Sequence, residues 1–102
     1  MTLFEFKGEN EDEVVRHAEQ FAAGAKPSKR NLIILGPAPA ALAKLRKRFR
    51  YHIVVKSTKE HDPSGAQLRM FTARALTLYR QSPVGKKRNV QLVIDVDPVG
   101  MM

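Results

Sequence analysis

Apolar residues recur at every second position over residues 2–7, then at every third or fourth position over residues 14–25, and the spacing goes on alternating between these two rhythms to the end of the chain. A period of two belongs to a half-buried strand and a period near 3.6 to an amphipathic helix. Thr2-Leu3-Phe4-Glu5-Phe6-Lys7 reads as a strand with Phe4 and Phe6 on one face, ended by Gly8. Asn10 offers an N-cap, and Glu13 three residues on completes a variant of the capping box. Val14, Ala18, Phe21 and Ala25 form the apolar stripe of the helix, widened by Val15 and Ala22, with Gly24 as its stop. A loop is expected at residues 25–29. Asn31 to Leu35 is a short apolar strand closed by Gly36-Pro37.

Gly36-Pro37-Ala38-Pro39-Ala40 reads as an extended turn, because each proline fixes its own backbone and restricts the residue before it. Ala40 to Lys44 is expected to form one helical turn. Leu45 to Ser57 alternates again as one long strand: Arg46, Arg48, Arg50, His52, Val54 and Lys56 on one face, Leu45, Lys47, Phe49, Tyr51, Ile53 and Val55 on the other. Residues 44–49 carry too little apolar surface to be buried, so this strand is expected to extend past its partners as an arm. Asp62-Pro63 opens a second helix, with Leu68, Phe71, Ala75 and Leu78 as its buried stripe. Asn89 to Asp97 is the last strand, with Val90, Leu92, Ile94 and Val96 inward, stopped by Pro98. The order β-α-β-β-α-β in 102 residues predicts an α+β, ferredoxin-like sandwich. It has a four-stranded antiparallel sheet, both helices on one face, and forms a single domain over residues 1–102.

Composition removes several function classes. There is no cysteine, hence no disulfide, no thiol nucleophile and no thiolate metal site. No apolar run approaches the roughly 20 residues that span a bilayer, and no signal peptide is visible at the start, so a cytoplasmic domain is expected. Phosphate-binding glycine loops, the G-x-S-x-G elbow and H-E-x-x-H are all absent. Acylphosphatases share the size and fold class, but their Arg-containing phosphate loop is not visible. His17, His52 and His61 lack ligand spacing and read as ordinary surface or half-buried histidines. The acids at the start of the first helix suit its dipole better than a metal. Asp95 and Asp97 lie on one side of a strand, more simply as a salt bridge or loop cap than as a catalytic pair. No cofactor, metal or catalytic residue is expected.

Charge is the positive signal. Six of the ten acids lie in the first 19 residues; the other 83 residues carry 16 bases and four acids. A fold with one basic side meets a polyanion. Lys44-Leu45-Arg46-Lys47-Arg48-Phe49-Arg50-Tyr51 holds five bases in eight residues, with Phe49 and Tyr51 either stacking platforms or core. Lys86-Lys87-Arg88 forms a second cluster. Lys44, Arg46, Lys47, Arg48, Arg50, Tyr51, Lys86, Lys87 and Arg88 are the candidate DNA-binding residues, the cations for phosphates.

Gly36-Pro37-x-Pro39-Ala40, the Arg-aromatic strand ending in Arg50-Tyr51, and Asp95-Val96-Asp97-Pro98 together resemble the C-terminal domain of primosomal protein N′, the replication-restart helicase PriA. The resemblance covers about residues 1–100. It implies an S10-like fold, binding to single-stranded or forked DNA, and contact with the acidic tail of single-stranded DNA-binding protein and with other primosome components. Gly36, Pro37, Pro39, Asp95, Asp97 and Pro98 carry over as structural motif residues. Gln67 and Arg69 match, by residue type, the family's tail-binding pair near the start of the last helix. The helicase lobes, the Walker motif and the zinc-binding cysteines are absent, so the chain is expected to be no enzyme, whether excised from a helicase or free-standing. Two other readings follow: a protein-interaction module that captures the acidic tail, and an RNA- or ribosome-associated domain.

Overall fold

A computed structural model describes residues 1–25, 32–45, 48–57, 62 and 64–96, with backbone alone at 41–45. The loop expected at 25–29 beyond Ala25, and Asn31, Arg46, Lys47, His61, Pro63, Asp97 and Pro98, lie outside the described residues. The elements are β1 (Thr2–Gly8), α1 (Glu11–Gly24), β2 (Leu32–Leu45), β3 (Arg48–Ser57), α2 (Ala66–Gln81) and β4 (Gln91–Val96). They form one four-stranded sheet in the order β2-β3-β1-β4, antiparallel throughout. This is the α+β sandwich that the sequence predicts.

The alternation in β1 does what a period of two requires. Phe4 and Phe6 are buried, while Leu3, Glu5 and Lys7 face the side without helices. Register carries the same division across the sheet, Phe4 opposite Ile53 and Phe6 opposite Tyr51. Phe21 of α1 meets Phe4 at a ring-centroid distance of 4.5 Å, and Tyr79 of α2 stands edge-on to Phe6 at 5.6 Å. These rings, with Val14, Ala18, Ile53, Val55 and Leu68, form the core between the sheet and the two helices.

The first helix begins as expected; the second begins at Ala66, later than the expected Asp62-Pro63 start, with Gly65 at the N-cap position. Asn10 caps α1, its side-chain oxygen accepting from the Glu13 N–H at 3.1 Å. Asp62 caps α2 from outside the helix. Its two carboxylate oxygens accept from the N–H groups of Gln67 (3.1 Å) and Leu68 (3.0 Å), while Gly65, in the left-handed region, is the first turn's flanking residue. Within α2 the buried stripe is Leu68, Ala75 and Tyr79. Leu78, expected inside, is 46% exposed, and the Tyr79 ring takes the inward position one residue on.

The larger correction concerns residues 36–50. β2 does not end at Gly36-Pro37, and Ala40 to Lys44 is extended, not helical. The chain continues as one strand to Leu45, and β3 runs antiparallel to it from Arg48, so the described bases Lys44 and Arg48 lie on two paired strands instead of one. Alanine prefers helix only weakly, and pairing to β3 overrides that preference. The prolines are accommodated by irregularity. Gly36 and Pro37 together stand opposite Ile53, and residues 40–43 stand opposite Arg50. Gly36 has φ +103°, and a Cβ there would lie 2.5 Å from the His52 carbonyl oxygen, so only glycine passes this bulge. Among the described residues, β1 pairs with β3 as far as Phe49, and the β2–β3 ladder continues to the Leu45–Arg48 rung.

Candidate nucleic-acid interface

The two basic clusters, about forty residues apart in the chain, meet at one end of the sheet. Arg48 stands at the start of β3, one residue beyond the Gly8–Phe49 rung. The segment 86–88 leads into β4, whose first residue, Gln91, pairs with Lys7. Between them runs a groove of about 430 Å³ lined by Lys7, Arg48 and Arg88, with Glu9 as its one carboxylate. Among the described residues, neither Arg48 nor Arg88 meets a carboxylate in an ion pair.

Local chemistry holds this arrangement in place. After α2, the Ser82 hydroxyl accepts from the Gly85 N–H at 2.9 Å and donates to the Tyr79 carbonyl at 2.6 Å. The Lys86 and Lys87 N–H groups bond back to Ser82 and Val84. The cations therefore sit on a hydrogen-bonded turn. Asn89 then ties the segment to α1: its side-chain oxygen accepts from His17 Nε2 at 3.2 Å, which leaves His17 Nδ1 to accept from the Tyr79 hydroxyl at 2.6 Å. Asn89 also holds the Glu13 carboxyl below its ordinary value, with Arg16 and Lys87 adding to the effect. Gly8 lets the strand and the loop cross: a Cβ there would lie 2.9 Å from the Asn89 carbonyl oxygen. His17 is thus wholly buried, where the sequence reads it as an ordinary surface or half-buried histidine, and burial pushes its pKa down.

Arg50 is differently placed. It lies on the sheet face without helices, and its Nη2 donates to Glu5 Oε2 at 2.6 Å, the same oxygen that accepts from His52 Nε2 at 2.9 Å. Burial alone would raise the Glu5 carboxyl. The bonds from Arg50 and His52, together with their charges, outweigh it and hold the group below its ordinary value. Glu5 in turn raises the Arg50 pKa. Tyr51 lies on the opposite, helix-covered face, packed against the core with Phe49, and its hydroxyl donates to Glu11 Oε2 at 2.9 Å. That bond raises the pKa of the phenol. Lys44 is in β2 opposite Phe49, and Arg46 and Lys47 lie outside the described residues.

A second groove, of about 400 Å³, lies between α2 and β4, lined by Phe4, Leu68, Leu76, Ile94 and Val96, of which Ile94 and Val96 leave apolar surface uncovered. Ile94 and Val96 point to the helix side as expected, yet are 38% and 64% exposed. Arg69 lines this groove, and its Nη1 donates to the Ser64 carbonyl at 2.8 Å. Gln67 N–H is bound by Asp62. Asp95 is exposed on the other face, in register with Leu3. Sequence reasoning passed over Lys7 and Glu5. Their strand alternation was legible, but their neighbours across the sheet were not.

Among the described residues, no helix is long and apolar enough to cross a membrane. No curated protein sequence matches the chain at a significant level. The model of the primosomal protein N C-terminal domain matches residues 1–99, so the chain belongs to that family, whose role is in the primosome and the restart of DNA replication.

Proposed function

We propose that the chain is a non-catalytic module that grips the backbone of single-stranded or branched DNA in the cytoplasm during replication restart. The contact would be made at the end of the sheet where Lys7, Arg48 and Arg88 converge. The observation that carries this is the meeting of two separate basic clusters on one groove, with neither Arg48 nor Arg88 ion-paired to a described carboxylate. Lys86 and Lys87 of the loop extend the same positive end, and Lys44, Arg46 and Lys47, bases of the same sequence cluster as Arg48, are proposed to add to the grip. The side-chain oxygens of the nearby Asn10 and Asn89 are engaged by the Glu13 N–H and by His17. Three cations against one carboxylate suit phosphates, and binding is expected to depend little on sequence.

Fluorescence anisotropy with labelled single-stranded and forked DNA tests this. Engagement of about five phosphates gives a log–log salt slope near −3.5 on single strands. Arg48→Ala with Arg88→Ala should weaken binding to every sequence and flatten the single-strand slope by roughly 1.4. No detectable binding at about 50 mM salt, where the electrostatic contribution is strong, would refute the reading. An RNA duplex or hairpin that competes better than forked DNA would favour the ribosome-associated alternative.

The groove between α2 and β4 supports a second contact by the same module. Its uncovered apolar floor and Arg69 suit a peptide with an apolar, acidic carboxyl terminus, such as the tail of single-stranded DNA-binding protein. In an NMR titration such a peptide should shift Gln67, Leu68, Arg69 and Ile94 and leave Arg48 and Arg88 unmoved.

A further inference from the structure

The two edges of the sheet are built differently. β2, at one edge, carries Pro37 and Pro39, which donate no N–H, and two register shifts. These are the devices that keep an edge from pairing with another chain. β4, at the other edge, has none of them. It pairs with β1 without interruption from Gln91 to Val96, contains no proline, glycine or lysine, and bears one charge, Asp95. It is also apolar on both faces: Val93 is 38% exposed on the side without helices, Ile94 and Val96 on the other. Among the described residues, no strand covers its outer side.

We propose that β4 pairs with β4 of a second copy of this chain, antiparallel about a two-fold axis at Val93, to make one continuous eight-stranded sheet. The strand's own sequence selects this partner. In an antiparallel pair, opposite residues share a face. With Val93 opposite Val93, Leu92 faces Ile94, and Gln91 faces Asp95, so the two carboxylates are kept apart. Lys7 pairs with Gln91 in its own sheet, so it stands two strand spacings, roughly 10 Å between backbones, from Asp95 of the second copy. That distance is within the reach of the two side chains. Symmetry makes this charge complementarity twice over. An axis at Ile94 would set Asp95 against Val93, and one at Leu92 would set it against Asn89, outside the strand and away from Lys7. The pairing sets Asp95 of one copy at the Lys7 edge of the other's basic groove and leaves Arg48, two strands away in β3, open.

Sedimentation equilibrium of the whole chain over a concentration series tests it. The mass should rise from 11.5 kDa toward twice that value. The chain has no cysteine, so single-cysteine variants report register directly. Val93→Cys should form an intermolecular disulfide on oxidation, and Ile94→Cys should not, because its two copies would be roughly 8 Å apart between Cα atoms, beyond disulfide reach. Val93→Lys sets two like charges face to face and should give a folded monomer by circular dichroism and sedimentation. A mass of 11.5 kDa up to millimolar concentration overturns the proposal. So does a dimer that survives Val93→Lys, or cross-linking at position 94 as efficient as at 93.

Discussion

Glu5 shows how one carboxylate can decide what a neighbouring cation is free to do. It holds Arg50 and His52 on a single oxygen, and a DNA phosphate would have to displace it to reach the guanidinium. Glu5→Gln keeps the shape and removes the charge. It should raise affinity for single-stranded DNA several-fold and steepen the salt slope by about one, as one more cation becomes available. Unchanged affinity and slope in the anisotropy titration would place Arg50 outside the DNA path. The effect also has a pH sign. The folded-state pKa of Glu5 is lowered, so its contribution to stability is full above the ordinary carboxylate range and is lost as pH falls below it. Arg50 was legible in the sequence as part of a basic strand. That Glu5, forty-five residues earlier, would claim it was not legible, because nothing in either segment specifies the register between β1 and β3.

At the scale of elements, the β2–β3 hairpin depends on Gly36. Gly36→Ala forces a side chain into the left-handed region and against the His52 carbonyl. It should cost about 1–3 kcal/mol in urea unfolding. The start of α2 depends on Asp62, which bonds two N–H groups of the first turn. Asp62→Ala should lower the thermal midpoint and speed amide exchange at Gln67 and Leu68. Burial would raise the Asp62 carboxyl, but the bonds from Gln67, Leu68 and Ser57 hold it low. In the unaltered chain the cap is therefore intact above the ordinary carboxylate pKa, and the protection of the same two amides relative to their intrinsic exchange should fall only as pH drops below it. The aspartate cap was visible in the sequence because capping is local chemistry. The hairpin was hidden because alanines and two prolines carry no strand signal, and pairing with β3 alone extends that stretch.

For the molecule as a whole, His17 is the point where α1, α2 and the basic loop are joined. It is buried and bonded to Tyr79 and Asn89, with Glu13, Arg16 and Lys87 the charged groups around it. Burial comes first in pushing its pKa down, while Asn89 and Glu13 oppose that in part. The unfolded chain therefore binds a proton that the folded chain resists. Stability is full above the ordinary histidine value of 6.5 and declines as pH falls below it. Thermal unfolding should show a lower midpoint at pH 5 than at pH 7, and His17→Gln should be less stable at pH 7 but show less of that difference. Phe21→Ala, which empties the centre of the aromatic core, should cost about 3–5 kcal/mol, a large part of the stability of a domain this size.

The sequence by itself determined the order of elements, the faces of β1 and β3, the caps of both helices, the excess of positive charge and the motifs that mark the family. All of these are written in residues a few positions apart, where periodicity, dihedral preference and capping act. Only the tertiary structure decided that Lys7, Arg48 and Arg88 share a groove, that Arg50 is taken by Glu5, that His17 is sealed inside, and that one sheet edge is blunted and the other, among the described residues, uncovered by a strand. Those outcomes depend on which strand lies beside which, and in what register, and that is settled by the packing of the whole core at once.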